Sequence, residues 1–119
     1  KRMGSDWSEF QRYVWENWWS QNFPRAFGWS SEYQKPLLAG RFIVDFAAWK
    51  GNVRAVGDAK DKAVLTGDDV EKLLEDGAVF KATRALLVIA SDTSIPDGVQ
   101  QYIDDAGVEV VRTRWRAAR

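Results

Sequence analysis

With 119 residues, 45% of them hydrophobic and 29% charged, the chain has the size and composition of one globular domain with a genuine core. Seventeen Lys and Arg balance seventeen Asp and Glu, so the whole-molecule field exerts no pull on a polyanion, and no apolar run approaches the length of a bilayer span. Cysteine and histidine are both absent, which excludes disulfides, thiol nucleophiles, histidine-assisted triads, His-metal-finger chemistry and zinc held by histidine or thiolate.

Met3-Gly4-Ser5 just behind Lys1, without a signal-peptide pattern, reads as the start of a single domain, residues 1–119, excised from a longer chain. Asp6 followed by Glu9 has the form of a capping box and predicts a helix over 7–20. Trp7, Phe10, Val14 and Trp18 form its inner stripe, widened by Trp15 and Trp19. Five of the seven Trp precede residue 30, and their helical spacing favours packing over base stacking. Pro24 and Gly28 mark a loop with a short strand over 25–29, and 33–38 reads as extended.

A clearer strand covers 41–49, in which Phe42, Val44 and Phe46 alternate with Ile43, Asp45 and Ala47. Lys50-Gly51-Asn52 is a hairpin turn and 53–60 returns as the partner strand, with Val56, Asp58 and Lys60 on one face and small residues on the other. Thr66 to Asp69 caps a helix over 69–76 that continues past Gly77 towards Ala82. The apolar run over 84–91 predicts a buried parallel strand, 96–105 a helix stopped at Gly107, and 108–115 a last strand. The order of elements predicts an α/β fold: a mixed sheet with a central hairpin, flanked by helices.

The hairpin brings Asp45 and Asp58 together across thirteen residues, and the two-residue period places Lys60 beside Asp58. Two converging carboxylates without a balancing arginine repel each other unless a hard divalent cation lies between them. Mg²⁺ suits such a site, with Mn²⁺ as a substitute, because it accepts one or two carboxylates, keeps several waters and binds phosphate oxygens. The Lys60 ammonium can then orient or deprotonate an attacking water. The bland alternative is a salt bridge between Asp58 and Lys60 at a strand end, with Asp45 on backbone amides.

"VD" followed thirteen residues on by "DAK", both at strand positions with a helix behind, resembles the PD-(D/E)XK or restriction-endonuclease-like nucleases. The resemblance covers residues 29–112 and implies a restriction-endonuclease-like core of αβββαβ type plus a further helix and strand. It implies that Asp45, Asp58 and the Ala59 carbonyl bind metal and that Lys60 helps activate water, in Mg²⁺-dependent hydrolysis of a nucleic-acid phosphodiester, most often in DNA. Val44 stands where the family often has proline. A glutamine on the following helix, present in several subfamilies, has no match in "GDDVEKLLEDG". Glu16 and Glu32 are weak candidates for the first-helix glutamate of many members, although Glu9 and Glu16 fall opposite the apolar stripe.

Lys62, Arg112 and Arg114 are weak candidates for contacts to nucleic acid; the terminal clusters, Lys1 with Arg2 and Arg112 with Arg114, Arg116 and Arg119, read as solvated tails. Two biologies fit a nuclease acting in the cytoplasm. One is a resolvase, repair or restriction enzyme, with a homodimer as one arrangement; the other is the toxin domain of an interbacterial effector, delivered by secretion and paired with an immunity protein. The alternative from another class is a catalytically inactive nuclease-like module that binds nucleic acid or protein.

Overall fold

The computed structural model describes residues 9–116. Its centre is a five-stranded sheet in sequence order, built from β1 (Ser30–Leu37), β2 (Phe42–Lys50), β3 (Val53–Lys60), β4 (Arg84–Ile89) and β5 (Glu109–Arg112). β1, β2 and β3 are antiparallel neighbours, whereas β4 and β5 add in parallel, each after a crossover helix. Helix α1 runs through residues 9–22 on one face of the sheet. Helices α2 (Gly67–Phe80) and α3 (Asp97–Ala106) cover the other. The predicted mixed α/β architecture, with its central hairpin and flanking helices, is the observed one.

Two apolar layers follow from this arrangement. Phe10, Val14, Trp19 and Phe23 pack on Phe46, Ala48, Ala55, Ala59, Leu86 and Val88. On the opposite face Val70, Leu73, Phe80 and Ile103 pack on Ala47, Val56, Leu87 and Ile89. β4 contributes to both layers, which explains its uninterrupted apolar sequence.

The first helix departs from its expected phase. A π-helical turn at Trp15–Trp19 inserts one residue into the helical count, so the fully buried successor to Val14 is Trp19, five residues on, and Trp18 is only partly buried. The Trp19 ring stacks on Phe46 with centroids 5.2 Å apart and lies over Gly57, where a Cβ would sit 2.4 Å from the ring. The small residues on that face of β3 are therefore the floor on which Trp19 rests. Asp6 and Trp7 lie outside the described residues, as do Lys1, Arg2 and Arg119.

Other boundaries shift for local reasons. Residues Arg25–Phe27 form a 3₁₀ turn closed by left-handed Gly28 (φ 93°), not a short strand, and β1 begins only after it. Its sequence SSEYQKPL is mostly polar and carries a proline, so its extent was not marked by alternation. β4 and β5 end earlier than predicted; beyond Ile89 the chain is tied by the Ser91 N–H to the Trp115 carbonyl at 2.6 Å. Helix α2 begins two residues earlier than predicted and continues past Gly77 as expected, running from a capping box of Thr66 and Asp69 to left-handed Lys81 (φ 58°). No helix among the described residues is long and apolar enough to cross a membrane.

Candidate active site

The β2–β3 ladder pairs residues regularly from Lys50↔Val53 to Phe46↔Gly57 and stops there. At the next position the two strands are joined through side chains instead. The Asp45 N–H donates to Asp58 Oδ1 at 3.4 Å, and the Ala59 N–H donates to Asp45 Oδ2 at 2.9 Å. A residue's N–H and C=O leave a strand on the same side, which aims the Ala59 carbonyl at the same gap. The ladder opens where the carboxylates stand, and the opening is the candidate site.

The gap leads into a cleft of about 320 Å³ lined by Gln34, Ile43, Asp45, Asp58, Lys60 and Lys72. Asp45 and Asp58 are both buried, 8% and 1% exposed. Burial, and then repulsion from Asp58, push the Asp45 carboxyl up to about 7, against the opposing pull of the Ala59 N–H and the two lysines. Burial raises Asp58 as well, opposed chiefly by Lys72 and Lys60. Asp58 Oδ2 is buried and has no hydrogen-bond partner. A buried carboxylate oxygen without a donor costs free energy that a cation would recover.

Lys60 lies at the end of β3 and is held 3.9 Å from Asp69 Oδ1, so its ion pair is with the helix cap and not with Asp58 as a strand-end bridge would require. Asp69 is a junction: its Oδ2 also accepts from Lys62 Nζ at 2.8 Å and from the Thr66 N–H at 2.8 Å. Burial would raise this carboxyl, but the Lys62 and Thr66 hydrogen bonds outweigh it and hold it below the usual range. Lys72, four residues before Asp76 on α2, donates to Asp76 Oδ2 at 2.7 Å and to the Ile43 carbonyl at 3.3 Å. Asp76 itself is 1% exposed.

Asp45, Asp58, Ala59 and Lys60 thus come together as the sequence implied. The weaker candidates do not join them. Glu16 is exposed on α1, and Glu32 is ion-paired to Lys35 at 3.3 Å on the rim of a larger, separate cleft of about 570 Å³ beside Trp29 and Trp49. Lys62 is engaged by Asp69. Arg112 donates to the Thr93 carbonyl at 2.7 Å, holding the loop after β4, and exposed Arg114 lines another hollow with Tyr13 and Trp18.

Three residues at the site were missed. Lys72 and Asp76 could have been found as an i, i+4 pair in which the acid falls on the inner face of α2 with Leu73. Gln34 gave no sequence signal; it holds a left-handed backbone (φ 54°) in mid-strand, and its Nε2 donates to buried Gln11 at 2.9 Å.

The donor set fits a hard divalent cation. Two buried carboxylates meet in one cleft, and one carboxylate oxygen is unpartnered. That is the sparse oxygen set on which Mg²⁺ keeps most of its waters.

Among solved structures the chain is similar to a repair endonuclease from Pyrococcus abyssi, with 22% identity, a TM-score of 0.61 and coverage of 89% of this chain and 46% of that one. It is also similar to a protein of unknown function, with 11% identity, a TM-score of 0.52 and coverage of 87% and 56%. The chain therefore spans about half the length of the structures it resembles, and the likeness is one of fold. No family model and no curated protein matches the sequence.

Proposed function

We propose that the domain is a metal-dependent nuclease of the PD-(D/E)XK type that hydrolyses phosphodiester bonds, in DNA before RNA. The observation that carries this reading is the opening of the β2–β3 ladder at Asp45 and Asp58, which holds two buried carboxylates and an unpartnered oxygen in one cleft with Lys60. A fold shared with a repair endonuclease supports it.

Asp45, Asp58 and the Ala59 carbonyl would hold Mg²⁺, with Mn²⁺ as a substitute. A divalent cation there supplies charge neutralisation to a phosphate and lowers the pKa of bound water. The chain's own residues do the rest. Lys60, kept at the strand end by Asp69, would hydrogen-bond the attacking water and steady the charge that develops on the phosphorus oxygens. The buried walls around Asp45 and Asp58 keep bulk water from screening those interactions.

An inactive binding module would leave the burial of two like charges uncompensated. The fold shared with a repair endonuclease favours an enzyme of repair type over the effector with its immunity protein.

The test is cleavage of supercoiled plasmid in Mg²⁺, in Mn²⁺ and in EDTA by the wild-type domain and by Asp58→Asn. Metal-dependent nicking lost in the variant is expected. Cleavage that persists in EDTA, or that Asp58→Asn retains, would overturn the assignment, and no cleavage of either DNA or RNA with calorimetrically silent metal would leave the binding module.

A further inference from the structure

We infer that Lys72 is a second cationic group of the active cleft, one that grips the scissile phosphate while Asp76 positions it. The inference rests on the nuclease reading and goes beyond it, since neither the "VD…DAK" pattern nor the resemblance assigns a lysine on the helix behind the site.

Lys72 sits on α2 and reaches across the sheet face to the Ile43 carbonyl, two residues before Asp45. It lines the same cleft as Asp45, Asp58 and Lys60, and its side chain is half exposed. An ammonium has three donors. Two are used, on Asp76 and Ile43, and the third is left for a ligand entering the cleft. Asp76, by contrast, is almost wholly buried, and its Oδ1 has no partner.

A lysine serving only as counter-ion to Asp76 would need neither the reach to β2 nor a place on the cleft wall. Burying an aspartate to fix a surface lysine is costly, and replacing the pair with apolar residues would ordinarily be neutral or better for stability. The arrangement is what a positioned phosphate ligand requires: a charge held at one spot by a buried acid, with a donor to spare. Lys60 and Lys72 then line one cleft with the carboxylate pair, one from the strand and one from the helix. The division of labour follows: Lys60 acts on the water, and Lys72 on the ground-state phosphate and its neighbours.

The experiment measures binding without cleavage. Asp58→Asn protein is titrated onto a fluorescein-labelled DNA duplex in Mg²⁺ at several NaCl concentrations, and compared with Asp58→Asn/Lys72→Met. Loss of one phosphate contact should weaken binding on the order of tenfold. It should also reduce the slope of log affinity against log salt by about 0.9. Lys72→Arg in the same background should restore most of both.

A fourth protein, carrying Asp58→Asn, Lys72→Met and Asp76→Asn, separates grip from packing. Its melting temperature should recover relative to the Lys72→Met protein, while its affinity stays low. An unchanged salt slope in Lys72→Met would overturn the role of Lys72 and leave the nuclease reading intact. Recovery of affinity along with stability in the triple variant would overturn it too. Failure of the parent Asp58→Asn protein to bind any duplex, together with an inactive wild type, would remove the nuclease reading and this inference with it.

Discussion

Asp45 and Asp58 are joined crosswise: Asp58 accepts the backbone N–H of Asp45, and Asp45 accepts the N–H of the residue that follows Asp58. Each carboxylate thus serves its neighbour's strand while both remain buried and mutually repelling. Replacing Asp45 with Asn keeps an acceptor for the Ala59 N–H and removes one charge. We expect Asp45→Asn to lose at least a hundredfold in cleavage rate yet to melt higher than wild type in EDTA. Calorimetric scans with and without Mg²⁺ check this; a variant that melts lower in EDTA would refute the repulsion argument.

The pH dependence of the metal-free protein follows with a definite sign. Asp45 and Asp58 titrate above the value of 3.8 they have when unfolded, Asp45 at about 7. Between about pH 4 and 7 the folded state therefore holds protons that the unfolded state has shed, and stability falls as pH rises through that window. Asp69 and Glu109, held low by Lys62 with Thr66 and by Arg84, act oppositely and lose stability only as pH drops below about 4. Urea unfolding in EDTA should give a higher midpoint at pH 5 than at pH 8, with an unfolding free energy greater by up to about 3 kcal/mol. Saturating Mg²⁺, which binds the deprotonated pair, should raise the pH 8 midpoint most.

Two glycines should answer the same substitution with opposite signs. A Cβ on Gly57 would lie 2.4 Å from the Trp19 ring, which is pinned between Phe46 and Phe23 and cannot retreat. A Cβ on Gly77, inside α2, would meet Val56 and Ala82 at ordinary contact distances of 3.5 and 3.7 Å. Gly57→Ala should cost about 1–3 kcal/mol by overpacking. Gly77→Ala should gain up to about 1 kcal/mol from helix propensity. Urea midpoints measured side by side decide both.

Lys60 and Asp69 divide along another line. Lys60→Met removes a group whose ion pair is long and partly exposed, so folding should be nearly unchanged while the rate falls by orders of magnitude. Asp69→Asn keeps an acceptor for the Thr66 N–H but frees Lys60 and Lys62, and should reduce kcat about tenfold with a smaller change in KM. Steady-state kinetics on a defined duplex distinguishes the two; a fully active Lys60→Met protein would remove that residue from the mechanism.

How much was legible depended on how local the cause was. The convergence of Asp45, Asp58 and Lys60 could be read because a tight turn and the two-residue strand period fix which residues face one another. The crossover from β3 through α2 to β4 was marked by Thr66 and by the apolar run RALLVI. Lys72 was hidden because its distance from Asp45 depends on how α2 is rotated on the sheet, which no short pattern encodes. Trp18 and Trp19 exchanged roles because the π turn adds a residue that the 3.6-residue count does not contain. Gln11, buried on α1 and bonded to Gln34, was invisible for the same reason that polar core residues generally are: its partner is 23 residues away.

The left-handed residue that places Gln34 at the cleft has a further effect on how the molecule meets others of its kind. β1 is an outermost strand of the sheet, where an unbroken run of extended backbone would invite a strand from another molecule to add on. Gln34 takes a left-handed turn at mid-strand that interrupts the pairing with β2 between Tyr33↔Phe46 and Lys35↔Val44, and Pro36 two residues later carries no N–H to offer. The distortion beside the carboxylate pair thereby also guards the sheet against fibril-like growth at that edge.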